Sequence, residues 1–175
     1  MSDTAMAKIA ARKLDGRTRR IVLSGIALTA CVAIPALATQ GAGFVGTTLS
    51  AAIMGPTISK ADKVGAWDIE VKSRGRTLVG VDQIAVAANG QSGWHTHAGL
   101  VIISVKTGSL RWTDGDTCVT TLYNAGDSFI EPANHLHLVR NASAAQPAEF
   151  TGVQLRPEGS PGRIDAPAPS NNCGL

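Results

Sequence analysis

Trp94-His95-Thr96-His97 and, forty residues on, Asn134-His135-Leu136-His137 are the two runs from which this chain is read, and together they hold all four of its histidines. Each run has H-x-H spacing. Successive side chains of a β-strand point to opposite faces, so each run presents two imidazoles on one side of a sheet. Two such strands facing across a small barrel bring up to four neutral imidazole nitrogens towards one point. That ligand type suits Fe, Zn, Cu or Ni. One histidine alone would read as an ordinary core or surface residue, but four in paired spacing read as a metal site.

Working outwards, short apolar runs alternate with turn signals. Trp67 to Lys72 alternates apolar and charged residues, the pattern of a half-buried strand. Thr77 to Ala88 is rich enough in Leu, Val and Ile for one or two strands, and Asn89-Gly90-Gln91-Ser92-Gly93 turns the chain into the first histidine run. Leu100 to Val105 is a continuous apolar run that reads as a strand buried on both faces. Ser109 to Trp112 and Cys118 to Tyr123 form a hairpin around Asp114-Gly115-Asp116. Ser128 to Glu131, His137 to Arg140 and Glu149 to Leu155 complete the set. With no helical periodicity among them, they predict an all-β antiparallel sandwich or barrel.

These strands and histidine runs resemble the two motifs of the cupin superfamily, a double-stranded β-helix or jelly-roll barrel. Against its first motif, G-x5-H-x-H-x3,4-E-x6-G, His95, His97 and Gly108 fit, and the leading glycine is one place late at Gly90. Against the second, G-x5-P-x-G-x2-H-x3-N, Gly126, Pro132, His137 and Asn141 fit in register. Asn134 stands at the second glycine, a mild replacement because Asn tolerates the left-handed conformation. The resemblance covers Ala66 to Pro157. It implies that His95, His97 and His137 ligate a divalent transition metal inside the barrel. The family's carboxylate falls at Val101 or Ile102, neither of which binds metal. What remains is a three-histidine site, as in cupins similar to cysteine dioxygenase and the diketone-cleaving dioxygenases.

Other residues near the motifs have two readings each. His135 is a fourth ligand if its strand has already begun, and otherwise a neighbour of the site or of a substrate. Glu131 is a candidate general acid or base at the barrel mouth, against the plainer reading of a rim carboxylate in water. Val101, Ile103 and Val105 share inward parity with His97, so the pocket wall is apolar and suits a small, partly apolar ligand. Trp94 has the opposite parity and packs outside the pocket. Asn141 fixes the backbone after its strand.

At 175 residues and 44% hydrophobic content the chain suits one domain with a core. Its positive charge is local. The first 39 residues hold six Lys and Arg against Asp3 and Asp15, leaving ten basic and eleven acidic residues in the remainder. That balance gives no basic patch for nucleic acid. Ile21 to Ala38 run without a charge after a basic segment and end in Ala36-Leu37-Ala38, so residues 1–38 read as a signal peptide or an uncleaved membrane anchor. Thr18-Arg19-Arg20 resembles a twin-arginine signal, and Leu28-Thr29-Ala30-Cys31 a lipobox; cleavage after Ala38 is preferred. The domain is then secreted or exported to the cell envelope, with membrane contact only through an uncleaved N-terminus.

Cleavage leaves Cys118 and Cys173, whose disulfide would tie the tail to a barrel loop. The expected organisation is a lead-in segment at 39–65, the barrel at 66–157, and an irregular Pro/Gly-rich tail at 158–175. Members of the resembled family often dimerise through sheet faces, so a homodimer is one expected assembly. Two function classes follow. One is an exported barrel binding a divalent metal and a small ligand. The other is a three-histidine, dioxygenase-like enzyme acting on a small organic substrate.

Overall fold

The computed structural model of the protein describes residues 38–174. The signal-peptide, anchor, twin-arginine and Cys31 readings fall on residues outside those described. Among the described residues there is no α-helix and there are twelve strands: β1 Ala42–Met54, β2 Thr57–Val64, β3 Trp67–Arg74, β4 Thr77–Gln91, β5 His95–Thr96, β6 Leu100–Thr107, β7 Ser109–Asp114, β8 Thr120–Asn124, β9 Ser128–Glu131, β10 His137–Asn141, β11 Ala148–Pro157 and β12 Ile164–Asp165.

Ten of these strands make one nearly closed antiparallel sheet. Its first layer runs β1-β4-β11-β6-β9 and its second β12-β5-β10-β7-β8, joined where Arg140 of β10 pairs with Gln91 at the end of β4. The core lies between the layers. Ile84, Val86, Val101, Ile103, Val105, Phe129 and Phe150 enter from the first layer, and Leu110 and Val139 from the second. The period of two explains the selection: in β6 Val101, Ile103 and Val105 point in while Ile102 and Ser104 point out. The strand expected to be buried on both faces is therefore buried on one, because β6 lies in a two-layer barrel with solvent outside it.

The turn chemistry follows the motif positions. Gly108 has φ +72° and a Cβ there would meet Ala148 at 2.9 Å, so only glycine fits between β6 and β7. Asn134 adopts φ 57°, the left-handed conformation expected of it in place of the family glycine.

Three segments differ from the sequence-based expectation. Residues 42–54, expected as part of an irregular lead-in, form β1 and pair along the edge of β4 from Ala42↔Gln91 to Met54↔Thr77. Ladder hydrogen bonds are made by the main chain, so a strand edge can recruit a segment whose side chains show no alternation. Trp67–Arg74 is a strand, but it pairs only with β2 in a separate two-stranded sheet, which leaves Trp67 56% exposed. The tail is not wholly irregular: Ile164 and Asp165 of β12 pair with Thr96 and His95 of β5.

Candidate metal centre

β5 and β10 run antiparallel with His95 opposite His137. A further backbone bond, from the amide of Asn134 to the carbonyl of His97 at 2.8 Å, holds the second histidine run against the first. The loop entering β5 is set by Ser92. Its hydroxyl donates to the Gly93 carbonyl at 2.8 Å and accepts the Val139 amide at 2.9 Å. His95, His97 and His137 are all buried, and their ring centroids stand 4.3 to 5.2 Å apart. One donor atom from each lies within 4.8 Å of the others. Trp112 stacks beside His137 with a 5.8 Å centroid separation.

Every Nδ1 in the trio faces a backbone carbonyl. His95 Nδ1 donates to Gly93 at 2.9 Å, His97 Nδ1 to Gly162 at 2.6 Å, and His137 Nδ1 to His135 at 2.9 Å. A carbonyl can only accept, so each Nδ1 carries a proton and each neutral ring keeps its Nε2 lone pair for the centre. Carbonyl partners of this kind are what orient histidine ligands towards a metal.

Glu131 occupies the middle of this arrangement. Its Oε2 lies 3.1 Å from His97 Nε2 and its Oε1 3.3 Å from His137 Nε2. It is not a rim carboxylate, since only 3% of it is exposed. β9 shows an inversion: Ile130 faces solvent at 56% exposure while Phe129 and Glu131 face inward. The sequence carries the signal, because Glu131 shares the parity of the core residue Phe129.

The donor set fits a cation. Neutral Nε2 atoms and carboxylate oxygens are all acceptors, and His97 Nε2 and His137 Nε2 are buried with no hydrogen-bond partner. Acceptors facing one another in a buried site must be bridged by protons or by a metal ion. A single divalent ion satisfies them with all rings neutral. The electrostatics run the same way for His95: burial first, then the charges of His137, Arg163 and His97, push its imidazole down to about 2. Burial works to raise the Glu131 carboxyl. The facing rings of His137 and His97 outweigh it and hold the group below the usual carboxylate range.

His135 does not join the trio. Its Nε2 lies 2.8 Å from Asp114 Oδ2, and its ring stacks on Trp112. It reaches the centre only through its backbone carbonyl, which accepts from His137. Asp114 Oδ1 in turn accepts the amides of Asp116 and Thr117, both at 2.8 Å, so this second polar group is the turn between β7 and β8. Asn141 behaves as expected of a backbone clamp. Its Nδ2 donates to the carbonyls of Val86, Ala87 and Gln146, and its Oδ1 accepts from Ser143. Trp94 is buried beside the chain's early and late segments, its amide donating to Thr39 Oγ1 and its carbonyl accepting from Ala166.

A cavity of about 640 Å³ opens beside the centre, with His95, His97 and Glu131 on its wall. Phe44, Ile84, Val101, Ile103, Val139 and Phe150 make its apolar surface. Asp82, which accepts from Thr48 Oγ1 and Gln154 Nε2, and Arg163, which pairs with Asp165, give it polar patches. The sequence reading missed the contribution of the tail, where Gly162 and Arg163 lie beside His97 and His95; a Gly/Pro/Ser-rich stretch carries no pattern that would place it there.

The class defined here is a jelly-roll barrel with a buried histidine cluster at one end of an apolar cavity. Residues 83–153 match the family model described as the cupin domain, and this stretch of the chain is a cupin domain. No curated protein matches the sequence. Among solved structures, a cupin-like protein from Thermotoga maritima is similar at 15% identity and TM-score 0.46, over 57% of this chain and 83% of that one. The polyketide cyclase RemF from Streptomyces resistomycificus is similar at 19% identity and TM-score 0.45, over 54% of this chain and 65% of its own. Peruvianin-I, a cysteine peptidase from Thevetia peruviana latex, is similar at 17% identity and TM-score 0.44, over 51% of this chain and 56% of its own. The matches thus span less than two thirds of these last two proteins.

Proposed function

We propose that this protein binds one divalent transition metal through His95, His97 and His137, and that the metal helps to hold a small, partly apolar ligand in the adjoining cavity. One observation carries the reading. All three Nδ1 atoms are committed to carbonyls, which leaves three Nε2 lone pairs converging in a buried site. Fe, Zn, Mn, Ni and Cu all accept such donors. The Cys118–Cys173 disulfide supports a setting outside the cytoplasm, where such bonds persist. Elemental mass spectrometry on the tag-free full-length protein and on His97→Ala tests it. Near-stoichiometric metal in the parent and loss in the variant is the expected result; no metal in either after loading overturns the reading.

A second reading, a dioxygenase-like enzyme, draws support from the position of His95 and His97 on the cavity wall, which puts the metal side by side with a bound organic molecule. A bound redox-active ion would supply oxygen activation. The apolar wall would exclude water, and Glu131 and Arg163 are the residues able to hold a proton or an anionic group there. Oxygen uptake by the iron-loaded protein in the presence of small organic acids and diketones checks this reading. No uptake with any of them, in protein that retains its iron, leaves a binding barrel.

A further inference from the structure

We propose that Glu131 is the fourth protein ligand of the centre, a carboxylate delivered from β9 to the place that the resembled motif fills from β6. The inference rests on the metal-binding reading above. The ladder between β6 and β9 carries it. Val101, at the position where the family's carboxylate falls, is the direct register partner of Glu131. Residues directly opposite on antiparallel strands point to the same face with their Cβ atoms adjacent, so a carboxylate from either strand reaches the same volume. The lost Glu of the first motif is thereby replaced across the ladder.

Three further observations agree. Glu131 is buried, and a buried carboxylate is costly unless it is paired, hydrogen-bonded or bound to a metal. Among the described residues its ion-pair partners are His97 and His137, with no Lys or Arg. Its two oxygens are directed one to each of the Nε2 atoms that lack a hydrogen-bond partner. His135, the other residue that could have completed the set, is held by Asp114. Three neutral imidazoles and one carboxylate leave a divalent ion with one net positive charge, where three imidazoles alone would leave two.

The test is a Co(II) titration of the full-length protein, read by the visible absorption of the bound ion and by competition with a chromophoric chelator, on the parent, Glu131→Gln and the residue exchange Val101→Glu/Glu131→Val. Glu131→Gln is expected to bind Co(II) more than about 100-fold more weakly, past the 10–100-fold range for a residue that only orients a ligand, with an altered absorption band. The exchange is expected to recover most of the loss. Equal affinity and an unchanged band in Glu131→Gln would overturn the proposal and leave the three-histidine site standing. Failure of the parent itself to bind Co(II) would instead overturn the metal reading, and this inference with it. Should Glu131→Gln not fold, the infrared difference spectrum of the parent with and without Co(II) decides: a shifted carboxylate band supports ligation, and its absence refutes it.

Discussion

The Nδ1 of His97 donates to the carbonyl of Gly162, a residue 65 positions further along the chain. The C-terminal segment therefore completes the centre. It is anchored just beyond that contact, by the pairing of β12 with β5, and again by the Cys118–Cys173 disulfide.

Reducing that disulfide, or replacing both residues as Cys118→Ser/Cys173→Ser, is expected to cost about 2–4 kcal/mol of stability on the chain-entropy account. Chemical denaturation with and without reductant measures it. The same variant should hold metal less tightly, because the segment that carries the His97-orienting carbonyl then keeps only its β12 pairing.

Metal should stabilise the folded chain by mass action. At a free concentration one hundred times the dissociation constant the gain is about 2.7 kcal/mol. A thermal melt of the chelator-treated protein should rise on adding back metal, and the melt of His97→Ala should not move.

Asn141→Ala removes a side chain that satisfies three carbonyls and one amide at the end of β10. Leaving buried carbonyls without donors costs about 1–3 kcal/mol per group at the upper end of mutational experience. A loss of about 2–4 kcal/mol in urea is the expected outcome, whereas Trp67→Ser on the exposed β3 should stay within about 0.5 kcal/mol.

Asp114 caps the turn between β7 and β8. Burial works to raise its carboxyl, but the amide of Thr117, the ring of His135 and the amide of Asp116 together lower it below its ordinary value. A carboxylate depressed in the folded state stabilises fully above its unfolded value, near pH 4, and loses that contribution as pH falls through the folded value. The difference in stability between the parent and Asp114→Asn should therefore be largest at neutral pH and shrink below about pH 4, as urea midpoints across that range would report.

Much of this was legible from local pattern. The apolar run Leu100 to Val105 and the turn residues Gly108 and Asn134 report short-range forces, and they recur in the structure as β6 and its flanking turns, although the one-sided burial of β6 was not in the run itself. The first H-x-H run likewise reports itself, since His95 and His97 both reach the centre, whereas His135 precedes β10 and turns to Asp114.

What could not be read locally depends on which strand edges meet. The pairing of β1 with β4 is made by main-chain groups that are the same in every residue, so the composition of residues 42–54 does not announce it. The approach of Gly162 to His97 is closed through a tail with no periodicity. Glu131 had inward parity in the sequence, yet parity names a face and not a neighbour; only the register of β9 on β6 sets it opposite Val101 and against two imidazoles. Side-chain period and backbone sterics are properties of a few consecutive residues and fix the barrel and its histidines. Register and edge pairing are set by contacts between distant segments, and these put a carboxylate among them.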